Sequence, residues 1–140
     1  MRKIRPNELK AGRELDMIVA LSVGWELREK RSPDHPTLHW YSPESRGWIE
    51  RVPDYSTNIA EAFTLVNAWI KERASEGDSY CFDLFFVDGD GWCCELKINS
   101  GKTIAEFRKG DSAEIAICYA IIEATGNLET SPLRGGNWSA

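Results

Sequence analysis

The sequence predicts a single compact α+β domain over residues 1–126, with three main helices and a mainly antiparallel sheet of about four to five strands. Three observations carry this. Between Asp111 and Thr125 the only charges are Asp111, Glu114 and Glu123, so the segment is a helix too apolar to lie on the surface. From Asn58 onward, Ile59, Ala62, Phe63, Val66, Trp69 and Ile70 repeat at three-and-four spacing, the period of an amphipathic helix. Two apolar runs, Tyr80 to Val87 and Gly91 to Ile98, flank Asp88-Gly89-Asp90-Gly91, where glycine supplies the positive φ of a tight hairpin.

The other elements are read in chain order. A first helix is expected from about Gly12 to Val23. Leu15, Ile18, Val19 and Ser22 share its apolar stripe, and Arg13, Glu14 and Asp16 fall mostly off it. Gly24 stops this helix, and Trp25 anchors the chain just after it. Glu26 to Arg31 is a charged stretch, and the prolines of Ser32-Pro33-Asp34-His35-Pro36 forbid a regular helix after it. Thr37 to Tyr41 and Gly47 to Val52 read as short strands around a Ser42–Gly47 turn. Asn58 with Glu61 forms a capping box for the second helix, with Thr57 as the other candidate cap, and Glu76-Gly77-Asp78 ends it. Thr103 to Phe107 is a third strand of the second group, after Asn99-Ser100-Gly101. Asp111 is the expected cap of the last helix, with Glu114 reaching back. Asn127 to Ala140, with Pro132, Gly135, Gly136 and Trp138, reads as a mobile tail.

Charge and cysteine usage exclude several functions. Lys plus Arg is 17 and Asp plus Glu is 22, giving a net charge of −5, the wrong sign for general nucleic-acid binding. Cys81, Cys93, Cys94 and Cys118 make no CxxC pair, and all sit in apolar runs where a thiol packs as a small hydrophobe. No apolar stretch follows the basic Met1–Pro6 segment, and none approaches the roughly 18 residues of a membrane span. The expectation is a soluble, cytoplasmic protein with no cofactor, no metal and no membrane partner.

Motifs for chemistry are sparse. Asp88-Gly89-Asp90-Gly91 resembles a calcium-loop fragment but lacks the later ligands, so a hairpin turn is preferred. His35 and His39 are four apart, but Pro36 interrupts them and metalloprotease spacing is missing. No phosphate loop, nucleophile elbow or Ser/His/Asp spacing is present, so no catalytic residue is assigned. A denser pattern is aromatic residues mixed with arginines: Trp40, Trp48, Arg51 and Tyr55, followed by Thr57, with Arg108 and Lys109 before the last helix. Aromatic faces stack on bases and guanidinium groups bind phosphate, so these seven are the candidate ligand-binding residues. The alternative is that the tryptophans belong to the core and the arginines to solvent.

Three stretches carry a family likeness: Gly12-Arg13-Glu14-Leu15-Asp16-Met17-Ile18-Val19-Ala20 with Gly24-Trp25; Val52-Pro53-Asp54-Tyr55-Ser56-Thr57-Asn58-Ile59-Ala60-Glu61-Ala62-Phe63; and Ala113-Glu114-Ile115-Ala116-Ile117-Cys118-Tyr119-Ala120. In this order they resemble the phage ABA-sandwich domain over roughly residues 9 to 126. The resemblance implies an α/β/α sandwich, with helices on both faces of the sheet, and brings no catalytic residues. Residues 28–46 and the tail look particular to this chain. By analogy, the expected function is anti-defence. A phage protein in the host bacterial cytoplasm would sequester a nucleotide-derived immune signal, a cyclic ADP-ribose isomer or a cyclic oligonucleotide, without cleaving it. A protein-binding inhibitor of a host defence enzyme and a hydrolase of the same signals are the rivals. A homo-oligomer is expected if the apolar face around Ile117 and Ile121 meets another copy rather than the first helix.

Overall fold

The computed structural model describes residues 10–30, 37–42, 48–49, 51–74, 79–98 and 103–126; the side chains of Glu29, Lys30, Thr37, Leu38, Trp48, Arg108 and Lys109 lie outside the description. Its element order is α1 (Arg13–Ser22), β1 (Glu26–Lys30), β2 (Thr37–Tyr41), β3 (Trp48–Ile49), α2 (Ile59–Ala74), β4 (Tyr80–Val87), β5 (Gly91–Ile98), β6 (Thr103–Gly110) and α3 (Ala113–Ala124). The α+β class, the three helices and the antiparallel pairing are as expected. The strands differ: among the described residues they form two three-stranded sheets, β1-β2-β3 and β4-β5-β6, rather than one sheet of four or five.

The extra strand is β1. Glu26–Lys30 carries a single apolar side chain, Leu27, so no alternation marks it in the sequence. It forms because cross-strand contacts hold it: Glu26 pairs with Tyr41, Leu27 with Trp40 and Arg28 with His39. The Arg28 guanidinium sits 4.3 Å from the Tyr41 ring centroid and also bonds Glu26. Charged side chains of this kind suit a sheet edge, where they discourage pairing with another chain. β3 is shorter than the expected Gly47 to Val52.

The second sheet has β5 at its centre, and its register puts Tyr80, Phe82, Leu84, Trp92, Cys94, Leu96, Ala105 and Phe107 on one face. α3 lies over β5 and β6 on that face, with Phe107 and Tyr119 ring centroids 4.8 Å apart. α2 lies beside it over β4, through Phe63 against Phe82 and Trp69 against Tyr80. Two register shifts in the β5–β6 ladder, between Trp92 and Cys94 and between Leu96 and Lys97, are bulges that bend the edge strand. β6 runs on to Gly110 rather than stopping at Phe107. A Cβ on Gly110 would sit 3.1 Å from Ala116 Cβ, Ser112 O and Trp92 O, so glycine permits the close approach of strand end and helix start.

α1 and α2 also pack on α3, which is therefore covered on several sides. Every residue from Ala116 to Ile122 is buried, Ile117 and Ile121 completely. The apolar face that could have met another copy is enclosed within the single chain, so α3 gives no reason to expect an oligomer. Ser112, not Asp111, caps α3: its hydroxyl accepts from the Ile115 N–H at 3.1 Å. Asn58 caps α2, with Oδ1 accepting from the Ala60 and Glu61 N–H groups at 3.0 and 3.2 Å. The buried stripe of α2 is Ala62, Leu65, Val66 and Trp69, rotated from the expected one and leaving Ile59 and Phe63 partly exposed. Among the described residues no helix is long and apolar enough to cross a membrane. The expected mobile tail, His35, and the turns at 43–47, 75–78 and 99–102 lie outside the described residues.

Candidate functional site

The site begins with a latch between α1 and the segment that leads into α2. Helical periodicity puts Asp16 off the buried stripe, yet it is 1% exposed. Its Oδ1 accepts from the Ser56 N–H at 2.7 Å and from the Ser56 hydroxyl at 2.6 Å. The same hydroxyl accepts from the Gly12 N–H at 2.8 Å, one of the amide groups left open at the start of α1. A carboxylate is tolerated in this position because its hydrogen bonds replace those to water. Two of the three stretches that carry the family likeness thus meet at Gly12, Asp16 and Ser56.

With 53–57 fixed in this way, a cleft of about 910 Å³ opens between the end of α1, that segment, one stripe of α2 and the end of α3. That volume is in the range of small-molecule sites, roughly 300–1,000 Å³. Trp25, Pro53, Tyr55, Leu65, Ala68 and Trp69 give it apolar and aromatic walls, and Glu61, Lys71, Glu72 and Arg73 are its charged groups. Trp25 is set by the turn that closes α1: Gly24 takes φ 99°, and the Trp25 N–H donates to Ala20 O at 2.9 Å. On α2, Glu61, Leu65, Ala68, Trp69 and Glu72 follow the helical repeat, so the cleft runs alongside the helix for about 18 Å at 1.5 Å per residue.

Trp69 is the unusual group. It is 5% exposed, its ring stands edge-on to Tyr80 at 5.6 Å, and the Arg73 guanidinium lies 5.6 Å from its centroid. Its indole N–H is buried and has no hydrogen-bond partner among the described residues. Leaving such a donor unmade costs about 1–3 kcal/mol.

The candidate residues distribute unevenly around this geometry. Tyr55 is buried and lines the cleft. Arg51 is exposed and paired with Asp54, and Thr57 is exposed on the turn before α2. Trp40 belongs to the core, flanked across the sheet by Leu27 and Ile49. Trp48 is the β3 partner of Tyr41, and Arg108 and Lys109 are strand residues of β6 rather than part of a loop before α3. Sequence reasoning reads Trp69 only as core. It does not single out Lys71, Arg73 or Thr64, whose one shared signal is their position around the α2 stripe.

Burial first, then the charges of Glu95, Asp83 and Cys93, push the Cys94 thiol up to about 12. Burial, with Asp16 and Glu114 adding to it, also holds the Cys118 thiol well above its ordinary value. Both stay protonated at neutral pH, which makes them poor nucleophiles. Hydrogen bonds from Lys97 to Asp83 and Glu95 raise the ammonium on the outer face of the second sheet. Among the described residues no group of three or more His, Cys, Asp or Glu side chains could hold a metal ion. Neither protein-family models, nor curated proteins, nor solved structures offer a match to the chain.

Proposed function

We propose that this protein captures a small nucleotide-type ligand in the cleft between α1 and α2 and holds it without cleaving it. The observation that carries the reading is a cleft walled by Trp25, Tyr55 and Trp69 and edged by Lys71 and Arg73. Aromatic side chains offer stacking worth about 1–3 kcal/mol per base. The two cations at the edge of the cleft offer a place for an anion. In the context of the family resemblance, such capture is the sequestration of a nucleotide-derived immune signal by a phage anti-defence protein. The cleft is formed by one chain, so capture requires no second copy.

Incubation of the purified protein with a panel of nucleosides, nucleotides and cyclic nucleotides, followed by heat release and mass analysis, tests the proposal. Intact ligand recovered from the wild type, and lost in Trp69→Ala or Trp25→Ala, is the expected result. Recovery of altered ligand would make the protein a hydrolase. A folded protein that takes up none of the panel would leave inhibition of a protein partner as the better account.

A further inference from the structure

The electrostatics of the same cleft point to the charge class of its ligand, an inference that rests on the capture reading. Three helix C-termini converge there. Ser22, Val23 and Gly24 bring the end of α1, Thr125 brings the end of α3, and Lys71 to Arg73 belong to the last turn of α2. Each such end carries the negative pole of a helix dipole, which repels anions and favours hydrogen-bond donors. Only α2 answers that pole with cations: Lys71 and Arg73 lie in its last turn, while α1 and α3 have no basic residue in theirs.

The charged side chains lining the cleft balance as well, Glu61 and Glu72 against Lys71 and Arg73, on a chain of net charge −5. Arg73 already lies over the Trp69 ring, and Lys71 has no ion-pair partner among the described residues. Among the described residues the cleft therefore has room for one compact anion, near Lys71, and no surplus of positive charge for more. Sites that bind polyphosphates supply several cations or a helix N-terminus. Here the one N-terminal turn at the cleft, that of α2, presents the carboxylate of Glu61, and the other helix ends that face the ligand have the opposite sign.

We infer that the cleft selects a donor-bearing heteroaromatic ligand with a single phosphate, or an anion of similar charge, and discriminates against polyphosphates. The ring lies against Trp25 and Trp69 and directs its amino or hydroxyl donors at the ends of α1 and α3. The phosphate lies toward Lys71.

Calorimetric titration of the full chain with the nucleosides, 5′-monophosphates, 3′,5′-cyclic monophosphates and 5′-triphosphates of adenine, guanine, cytosine and uracil, without divalent metal, is the test. For the base that binds, a monophosphate should bind about tenfold more tightly than its triphosphate, and also more tightly than its nucleoside. Lys71→Gln, an exposed substitution that leaves the core untouched, should weaken the monophosphate about threefold to tenfold and the nucleoside hardly at all. A triphosphate that binds as tightly as the monophosphate would overturn the charge inference while leaving ligand capture standing. An equal loss for nucleoside and monophosphate in Lys71→Gln would likewise remove Lys71 as the anion contact and overturn the inference. If no member of any series binds, the capture reading falls and the charge class falls with it.

Discussion

Replacing Asp16 by alanine should be among the most damaging single changes in the protein. The substitution removes a buried carboxylate oxygen that accepts at 2.7 Å from the Ser56 N–H and at 2.6 Å from the Ser56 hydroxyl. Hydrogen bonds to a charged group contribute about 1.5–3 kcal/mol each, and the buried Ser56 amide would be left without an acceptor. Since the two bonds share one oxygen, their loss is less than additive, and about 3–5 kcal/mol is expected. That is a large part of the 5–15 kcal/mol typical of a domain's whole stability. With a urea m-value of about 2 kcal/mol per molar, the midpoint should fall by about 1.5–2.5 M. Ser56→Ala should cost less, about 1.5–3 kcal/mol, by removing the hydroxyl and stranding the Gly12 amide. The double variant should be more stable than the sum of the singles implies, with a coupling of about 1–3 kcal/mol. A loss below 1 kcal/mol for Asp16→Ala, or an additive cycle, would refute the latch as the element that joins α1 to the start of α2.

Other positions give further measurable outcomes. Ile117→Ala should destabilise by about 2–5 kcal/mol through a cavity in the core, while the sedimentation coefficient stays that of the wild type, because the residue is already enclosed in one chain. Gly110→Ala should cost about 1–3 kcal/mol in a denaturant melt, since its Cβ would press on two backbone oxygens at the β6–α3 junction. Cys94 ionises at about 12 in the folded state and 9.0 as the reference value, so above pH 9 the unfolded chain loses its proton first and stability falls as pH rises toward 12. Cys94→Ala should flatten that fall by up to about 1.4 kcal/mol per pH unit, read from melts at stepped alkaline pH. A thiol reagent at pH 8 should label the exposed Cys81 in the native protein and reach the buried Cys93, Cys94 and Cys118 only on unfolding.

What the sequence discloses depends on whether a local pattern decides the outcome. The β4–β5 hairpin is legible because Gly89 and Gly91 take φ of 88° and 85°, a demand that glycine announces by itself. α3 is legible from composition, since a helix apolar all round has to be covered. β1 is not, because its stability resides in partners such as Tyr41 and Trp40 and its own charges disguise it. Asp16 is misplaced for the same reason. Helical periodicity sorts residues by polarity, and nothing local tells that Ser56, forty positions away, will satisfy a buried carboxylate. The cleft is harder still to foresee, for it joins four separate segments. Of the described side chains in the aromatic and basic cluster at 40–57, Tyr55 alone lines it, while Trp69 serves as core and wall together.

The central place of α3 has a consequence for how the chain acquires its structure in time. α3 is the last element to leave the ribosome among those described, yet α1, α2 and the β4–β6 sheet all rest on it. Until Ala113–Ala124 emerges, the earlier elements can form turns and hairpins but have no common surface on which to consolidate. Cooperative folding should therefore wait for the synthesis of α3, with most of the long-range contacts forming late. Nascent chains arrested before residue 113 should remain protease-sensitive, and those extended beyond residue 126 by enough linker to clear the exit tunnel should become resistant in a single step.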